Sequence, residues 1–276
     1  MRELKLALVQ CSAGTDFDAN VEHAIAAVRR AADGGAQLVA LPENFHLRLP
    51  SDGGERKLEV AQEIPGPLSR ALSDVARDKG IYLLAGSFSE QSDVKGKVHN
   101  TSLLFDPSGS VIAKYRKIHM FDVTIAGQVK AQESQFVEAG AQVVTADTEF
   151  GRVGLSVCYD LRFPELYRAL AVKGAVVTFV PANFTLFTGR DHWETLLRAR
   201  AIENGMFVVA PGQIGGVQGG FTAYGRSMVV DPWGTVVACA SDGQEILHAR
   251  IDLDLVDQVR AKLPSLQHRR PEAYRS

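Results

Sequence analysis

Short, almost uniformly apolar runs recur along this chain, and helical stretches separate most of them. Residues 4–9, 37–41, 81–88, 153–157, 176–180 and 206–210 read as strands apolar on both faces rather than alternating apolar and polar. Such strands need cover above and below. The segments 19–32, behind Asp16 and Asp18, and 68–79, closed by Gly80, carry helical periodicity that can supply it. So do 164–172 and about 190–204, the latter stopped by Gly205. Two hairpins are expected as well, 98–105 with 110–115 across Asp106-Pro107-Ser108-Gly109, and 227–230 with 235–240 across Asp231-Pro232-Trp233-Gly234. A strand over 245–251 and a short helix over about 253–262 close the pattern. Strands alternating with helices, with hairpins between, predict an α/β fold of mixed sheets covered by helices, not a purely parallel barrel. No linker, low-complexity tract or short repeat interrupts it, so one domain over 1–276 is expected, with a core at about 4–262 and a polar tail from Pro264.

Composition excludes several classes of function. The chain has 276 residues, 46% hydrophobic and 22% charged, with 30 Lys plus Arg against 32 Asp plus Glu and a formal charge of −2. Charges are interspersed, so neither a nucleic-acid groove nor a membrane-seeking surface is expected. The 3 cysteines, Cys11, Cys158 and Cys239, form no CxxC pair, which points to a reducing compartment and no disulfide framework. The opening Met1-Arg2-Glu3-Leu4-Lys5 lacks the apolar length and cleavage site of a secretory signal, and the run 175–180 is far short of the ~20 residues that span a bilayer. A cytoplasmic protein is expected.

Three side chains stand at the carboxyl ends of strand-like runs, where ligands collect in α/β folds. Cys158 follows the strand 153–157, and a helix begins a few residues later with Pro164 at its start. A nearby helix N-terminus can favour the reactive thiolate, although free cysteines are often buried apolar filler. Glu43 directly follows the apolar run 37–41, and Lys117 follows the strand ending at Tyr115. For either of these two, taken alone, a solvated surface residue is the favoured reading. Cys11 and Cys239 sit within strand-like runs and read as filler. His119 and His192 lack metal-ligand spacing with other His, Cys or acidic residues, so no metal or cofactor is expected.

Taken together, Leu41-Pro42-Glu43-Asn44-Phe45, Tyr115-Arg116-Lys117-Ile118-His119-Met120-Phe121-Asp122 and Cys158-Tyr159-Asp160-Leu161-Arg162-Phe163-Pro164-Glu165 resemble, in order, the three motifs of the nitrilase superfamily. Gln132-Glu133-Ser134, with Gly140 further on, resembles that family's loop bearing an additional glutamate, with Ala139-Gly140 in place of Pro-Gly. The resemblance runs end to end, and the stretch 188–203 looks most like the Nit branch. It implies a four-layer α-β-β-α sandwich whose protomers pair through their helices, here a homodimer. It further implies a Glu43–Lys117–Cys158 triad, with Glu133 assisting. Lys117 and the Tyr159 N–H would serve the oxyanion, and Asn44, Arg162 and Thr188 the substrate.

That resemblance implies a small-molecule amide substrate carrying a carboxylate. Arg162, four residues past the nucleophile, would grip the carboxylate, a task suited to a planar guanidinium; a structural salt bridge is the alternative. The Nit branch holds ω-amidases, acting on 2-oxoglutaramate, and amidases of deaminated glutathione. Gln213, at a strand end, tilts the expectation towards deaminated glutathione. The alternatives are the ω-amidase activity, hydrolysis of N-carbamoyl amino acids, and a family member that binds or scaffolds without catalysis.

Overall fold

The computed structural model describes residues 2–274 apart from Asp52 and Gln128, so the last two positions of the expected tail lie outside the described residues. In the first half, β1 (Glu3–Gln10), α1 (Phe17–Asp33), β2 (Leu38–Ala40), α2 (Arg56–Val60) and α3 (Pro67–Lys79) lead to β3 (Tyr82–Leu84) and β4 (Phe88–Gln91). Next come β5 (Val98–Phe105), β6 (Val111–Arg116), β7 (Asp122–Ile125) and β8 (Val129–Gln132). The second half contains β9 (Thr145–Thr148), β10 (Gly151–Leu155), α4 (Pro164–Val172), β11 (Val177–Phe179), α5 (Leu186–Asn204) and β12 (Phe207–Ala210). It ends with β13 (Ile214–Gly216), β14 (Thr222–Tyr224), β15 (Met228–Val230), β16 (Val236–Cys239), β17 (Glu245–Asp252) and α6 (Asp254–Lys262).

Two mixed sheets result. One runs β17-β1-β2-β3-β5-β4 with β6 added on β5, and the other β16-β15-β12-β11-β10-β9. The parallel pairs β1–β2–β3 and β10–β11–β12 are the near-uniformly apolar strands of the sequence, whereas the hairpins add antiparallel edges. Side chains alternate across the first sheet. Ala7, Val9, Val39 and Leu83 pack with Ala24, Val28 and Ala31 of α1 and with Leu72 and Val75 of α3. Leu4, Leu6, Leu8, Leu38 and Ala40 belong instead to the core shared with Val153, Leu155, Val177 and Phe179 of the second sheet. The same core continues through Leu166 and Leu170 of α4 and Trp193 and Leu197 of α5, giving the expected α-β-β-α layering. Each fully buried leucine contributes roughly 1.5–3 kcal/mol of transfer free energy, so the apolar strands themselves drive this stacking.

Two boundaries differ from the sequence reading, for local reasons. The expected strand 81–88 breaks between Leu84 and Phe88, because the backbone at Gly86 turns to φ 38° and presses on the 41–42 carbonyls. A Cβ there would lie 2.0 Å from the Pro42 oxygen, so only glycine fits. Helix α5 begins at Leu186 rather than near Arg190, because Thr185 caps it by accepting from the Thr188 N–H. The hairpins β7–β8 and β13–β14, whose strands are short and partly exposed, carry too weak a pattern to be expected from sequence.

Candidate active site

The ends of β2, β6 and β10 bring Glu43, Lys117 and Cys158 together. Lys117 Nζ donates to Glu43 Oε1 at 3.0 Å and to Glu133 Oε2 at 2.8 Å, with Lys117 only 2% exposed. Burial alone would pull the ammonium down, but Glu133 and Glu43 hold it well above the ordinary lysine value, so it stays protonated. Burial likewise works against the charge of Glu133, yet Lys117 and, beyond it, Lys57 keep that carboxyl below its usual range. Asn100 of β5, unnoticed in the sequence, donates to Glu43 Oε1 at 3.0 Å and to Glu133 Oε1 at 3.3 Å. The Glu43 loop is fixed from the other sheet as well: the Asn183 N–H donates to Glu43 Oε2 at 2.8 Å, and Gln213 Nε2 donates to the Glu43 carbonyl at 3.1 Å. Gln213 supports this backbone and is not among the residues that line the cavity.

Cys158 has φ 49°, a left-handed conformation that L-residues seldom hold and that costs of order 1–3 kcal/mol. Its N–H donates to the Pro181 carbonyl at 2.9 Å. The thiol is 7% exposed, and burial, followed by the charge of Glu43, raises its pKa well above the usual cysteine value, with Lys117 opposing. The thiol is therefore the resting form, as a mechanism with Glu43 as base requires. Helix α4 starts only at Pro164, after a short 3-10 turn. Cys11 and Cys239 lie away from this group; burial pushes Cys11 up to about 12.

Asp160 ties the pieces together. Fully buried, it accepts from the Tyr115 hydroxyl at 2.6 Å, the Val157 N–H at 2.8 Å, the His119 N–H at 3.1 Å and His119 Nδ1 at 2.7 Å. Tyr115 and His119 flank Lys117, and Val157 precedes Cys158, so one carboxylate holds the lysine strand against the cysteine turn. The His119 ring also stacks on Phe163 at 3.6 Å, which gives this histidine a structural place, as its lack of ligand spacing suggests. Gly140 completes the support: its N–H donates to the Lys117 carbonyl at 2.8 Å, and a Cβ would lie 2.1 Å from the Arg116 oxygen.

The group opens into a cavity of about 490 Å³, also lined by Asn44, Tyr159, Arg162 and Thr188. The Arg162 guanidinium lies over the Phe184 ring at 5.2 Å and the Tyr159 ring at 5.8 Å, and Nη1 meets His192 Nδ1 at 3.2 Å. No described carboxylate pairs with it, which disposes of the structural salt bridge. Thr188 shares a 2.8 Å hydroxyl contact with Thr185, and Asn44, at φ 56°, donates its N–H to the Ser87 carbonyl. The Tyr159 N–H makes no hydrogen bond to a described residue. Among the described residues there is no group of three or more His, Cys, Asp or Glu side chains able to hold a metal ion, and no helix long and apolar enough to cross a membrane.

Residues 5–261 match the carbon-nitrogen hydrolase family. The chain belongs to that family. It is 38% identical to omega-amidase NIT2 of Homo sapiens over 99% of this chain and 98% of that one. It is 41% identical to the deaminated glutathione amidase of Synechocystis sp. PCC 6803 over 98% of this chain and 99% of the relative. Among solved structures, the C. elegans NitFhit protein superposes with a TM-score of 0.89 at 38% identity, over 99% of this chain and 66% of that longer one. The carbon-nitrogen hydrolase reading and the layered fold expected from the motifs are thus both met. What the sequence did not disclose is the scaffolding: Asn100, the partners of Asp160, and the cationic residues Arg48, Lys57 and Lys130 that also line the cavity.

Proposed function

We propose that this carbon-nitrogen hydrolase is a thiol amidase of small linear amides that carry a carboxylate, with Cys158 as nucleophile and deaminated glutathione as substrate. The observation that carries the reading is a strained, buried cysteine facing a carboxylate and a protonated lysine in the lining of a cavity whose Arg162 has no described acidic partner. A thiol held protonated needs a base at the moment of attack. Glu43 takes the Sγ proton as the S–C bond forms, and the carbonyl π electrons move to oxygen. Lys117 and the Tyr159 N–H receive that oxyanion. Collapse breaks the C–N bond, and the Glu43 proton leaves on the amine. Water then adds to the thioester, giving its proton to Glu43, and the acid departs as the thiol re-forms. Glu133 and Asn100 keep Lys117 and Glu43 aligned throughout.

A second reading, 2-oxoglutaramate as substrate, is favoured by the 38% identity to an omega-amidase over nearly the whole chain. Both substrates present the same keto-acid acyl group. The test common to both is mass spectrometry of the protein quenched during turnover, where an acyl adduct is expected on the peptide containing Cys158. Cys158→Ala should form no adduct and show no turnover while remaining folded. An adduct on Cys11 or Cys239, or turnover by the alanine variant, overturns the assignment. Comparing kcat/KM for the two substrates decides between them.

A further inference from the structure

The cavity holds more cations than a substrate with one carboxylate would use. Its acidic residues are Glu43 and Glu133, and both are already satisfied by Lys117. Against them stand four further cations, Arg48, Lys57, Lys130 and Arg162, in a chain whose overall charge is −2. Arg48 is occupied: its guanidinium donates to the carbonyls of Ile214, Gly215 and Phe221. Arg162, Lys57 and Lys130 form no ion pair with a described residue. They come from separate elements. Arg162 belongs to the turn after Cys158, between Tyr159 and Phe184. Lys57 stands on α2, and its field reaches Glu133; Lys130 stands on β8, three residues before Glu133.

Space agrees with charge. Even at the ~30 Å³ share of a water molecule for each heavy atom, a keto-acid amide of about ten heavy atoms takes roughly 300 Å³, well below the cavity's 490 Å³. From this we infer that Lys57 and Lys130 form a second anion subsite, one that receives a carboxylate on the amine half of the substrate while Arg162 holds the one on the acyl half. Such a subsite serves a secondary amide with a carboxylate on each side of the scissile bond, the class to which deaminated glutathione belongs, and not a primary amide. Two flexible ammonium groups on partly open elements suit a leaving group that must depart each cycle, whereas the planar, ring-stacked guanidinium suits the half that stays covalently bound.

This inference rests on the amidase reading, and the test separates the two. Two amides sharing one keto-acid acyl group, one with a glycine leaving group and the other with methylamine, are compared in the wild type and in Lys57→Gln/Lys130→Gln. The wild type should prefer the glycine amide in kcat/KM, and the double variant should lower that preference roughly 10-fold or more, the scale of a lost bond to a charged group. Raising the salt should shrink the wild-type preference, and Lys57→Glu should turn it towards an amine-bearing leaving group. A preference near one in the wild type, or one unchanged in the double variant, overturns the subsite and leaves the amidase reading standing. If neither amide is hydrolysed, the amidase reading fails, and calorimetry on Cys158→Ala still reads the subsite. The glycine amide should then bind roughly 10-fold more weakly after loss of both lysines, and equal affinities refute it.

Discussion

Replacing Asp160 with Asn keeps the side chain's size and removes one acceptor oxygen from a position where four donors converge. Two of those donors can adapt, since the Tyr115 hydroxyl and the His119 ring can each turn or exchange a proton to accept from the new amide. The other two are the backbone N–H groups of Val157 and His119, which cannot. Because one serves each oxygen, either orientation of the amide leaves one backbone N–H unpaired. An orphaned buried donor costs about 1–3 kcal/mol, and the surviving bonds lose the charge that made them roughly twice as strong. The sum is about 3 kcal/mol, which for a chain of this size lowers Tm by roughly 6–12 °C. The catalytic consequence follows from which N–H is released: Val157 precedes the strained Cys158, and His119 lies two residues past Lys117. A displacement on the order of 1 Å in such a group can lower kcat by about 10²-fold. The assay is kcat and KM at 25 °C, well below the midpoint, alongside thermal unfolding. A variant with lowered Tm but kcat within threefold of wild type shows that Asp160 braces the fold without aligning Lys117 and Cys158. An unchanged Tm refutes the bonding argument itself.

Lys117→Ala should reduce kcat at least ~10²-fold, the effect of removing one oxyanion donor; steady-state kinetics giving near-wild-type kcat would remove it from the mechanism. Glu43→Gln should abolish turnover yet make Cys158 more acidic, because the variant loses a carboxylate that raises the thiol while Lys117 still lowers it. Alkylation of the Cys158 peptide by iodoacetamide should therefore occur at lower pH than in the wild type, and an unshifted profile counts against Glu43 as the controlling charge. Arg162→Lys should raise KM for acidic amides by the equivalent of about 1.5–3 kcal/mol, with much less change for a neutral amide of similar length. Equal losses for both would take Arg162 out of the substrate site.

Strand composition made the layers legible, because a strand apolar on both faces has to be covered twice, and β2, β10, β11 and β12 are such strands. Glu43 and Cys158 were legible too, since each follows an apolar run at the end where ligands gather, whereas Lys117 follows the mixed strand β6 and stood out only within its motif. What stayed hidden is whatever depends on a partner far away in sequence. Asp160 lies inside a motif that drew attention for its cysteine, but its role resides in Tyr115 and His119, 45 and 41 residues earlier. Asn100 was hidden for a different reason. Strand β5 contains the unbroken polar run His99-Asn100-Thr101-Ser102, yet all eight of its residues are buried. A polar stretch in a strand enclosed on both sides draws on hydrogen-bond partners within the protein, although Asn100 Oδ1 and Ser102 Oγ have none among the described residues. Here Thr101 reaches the buried Glu90, which also takes Arg116, and Asn100 reaches both carboxylates beside Lys117. That run was therefore a signal in its own right: four polar residues in an apolar hairpin mark the strand that the reactive group leans on. The lysines of α2 and β8 offered no such contrast, because a lysine on a short exposed element looks the same whether it faces water or a substrate. Only their place in the cavity lining sets Lys57 and Lys130 apart.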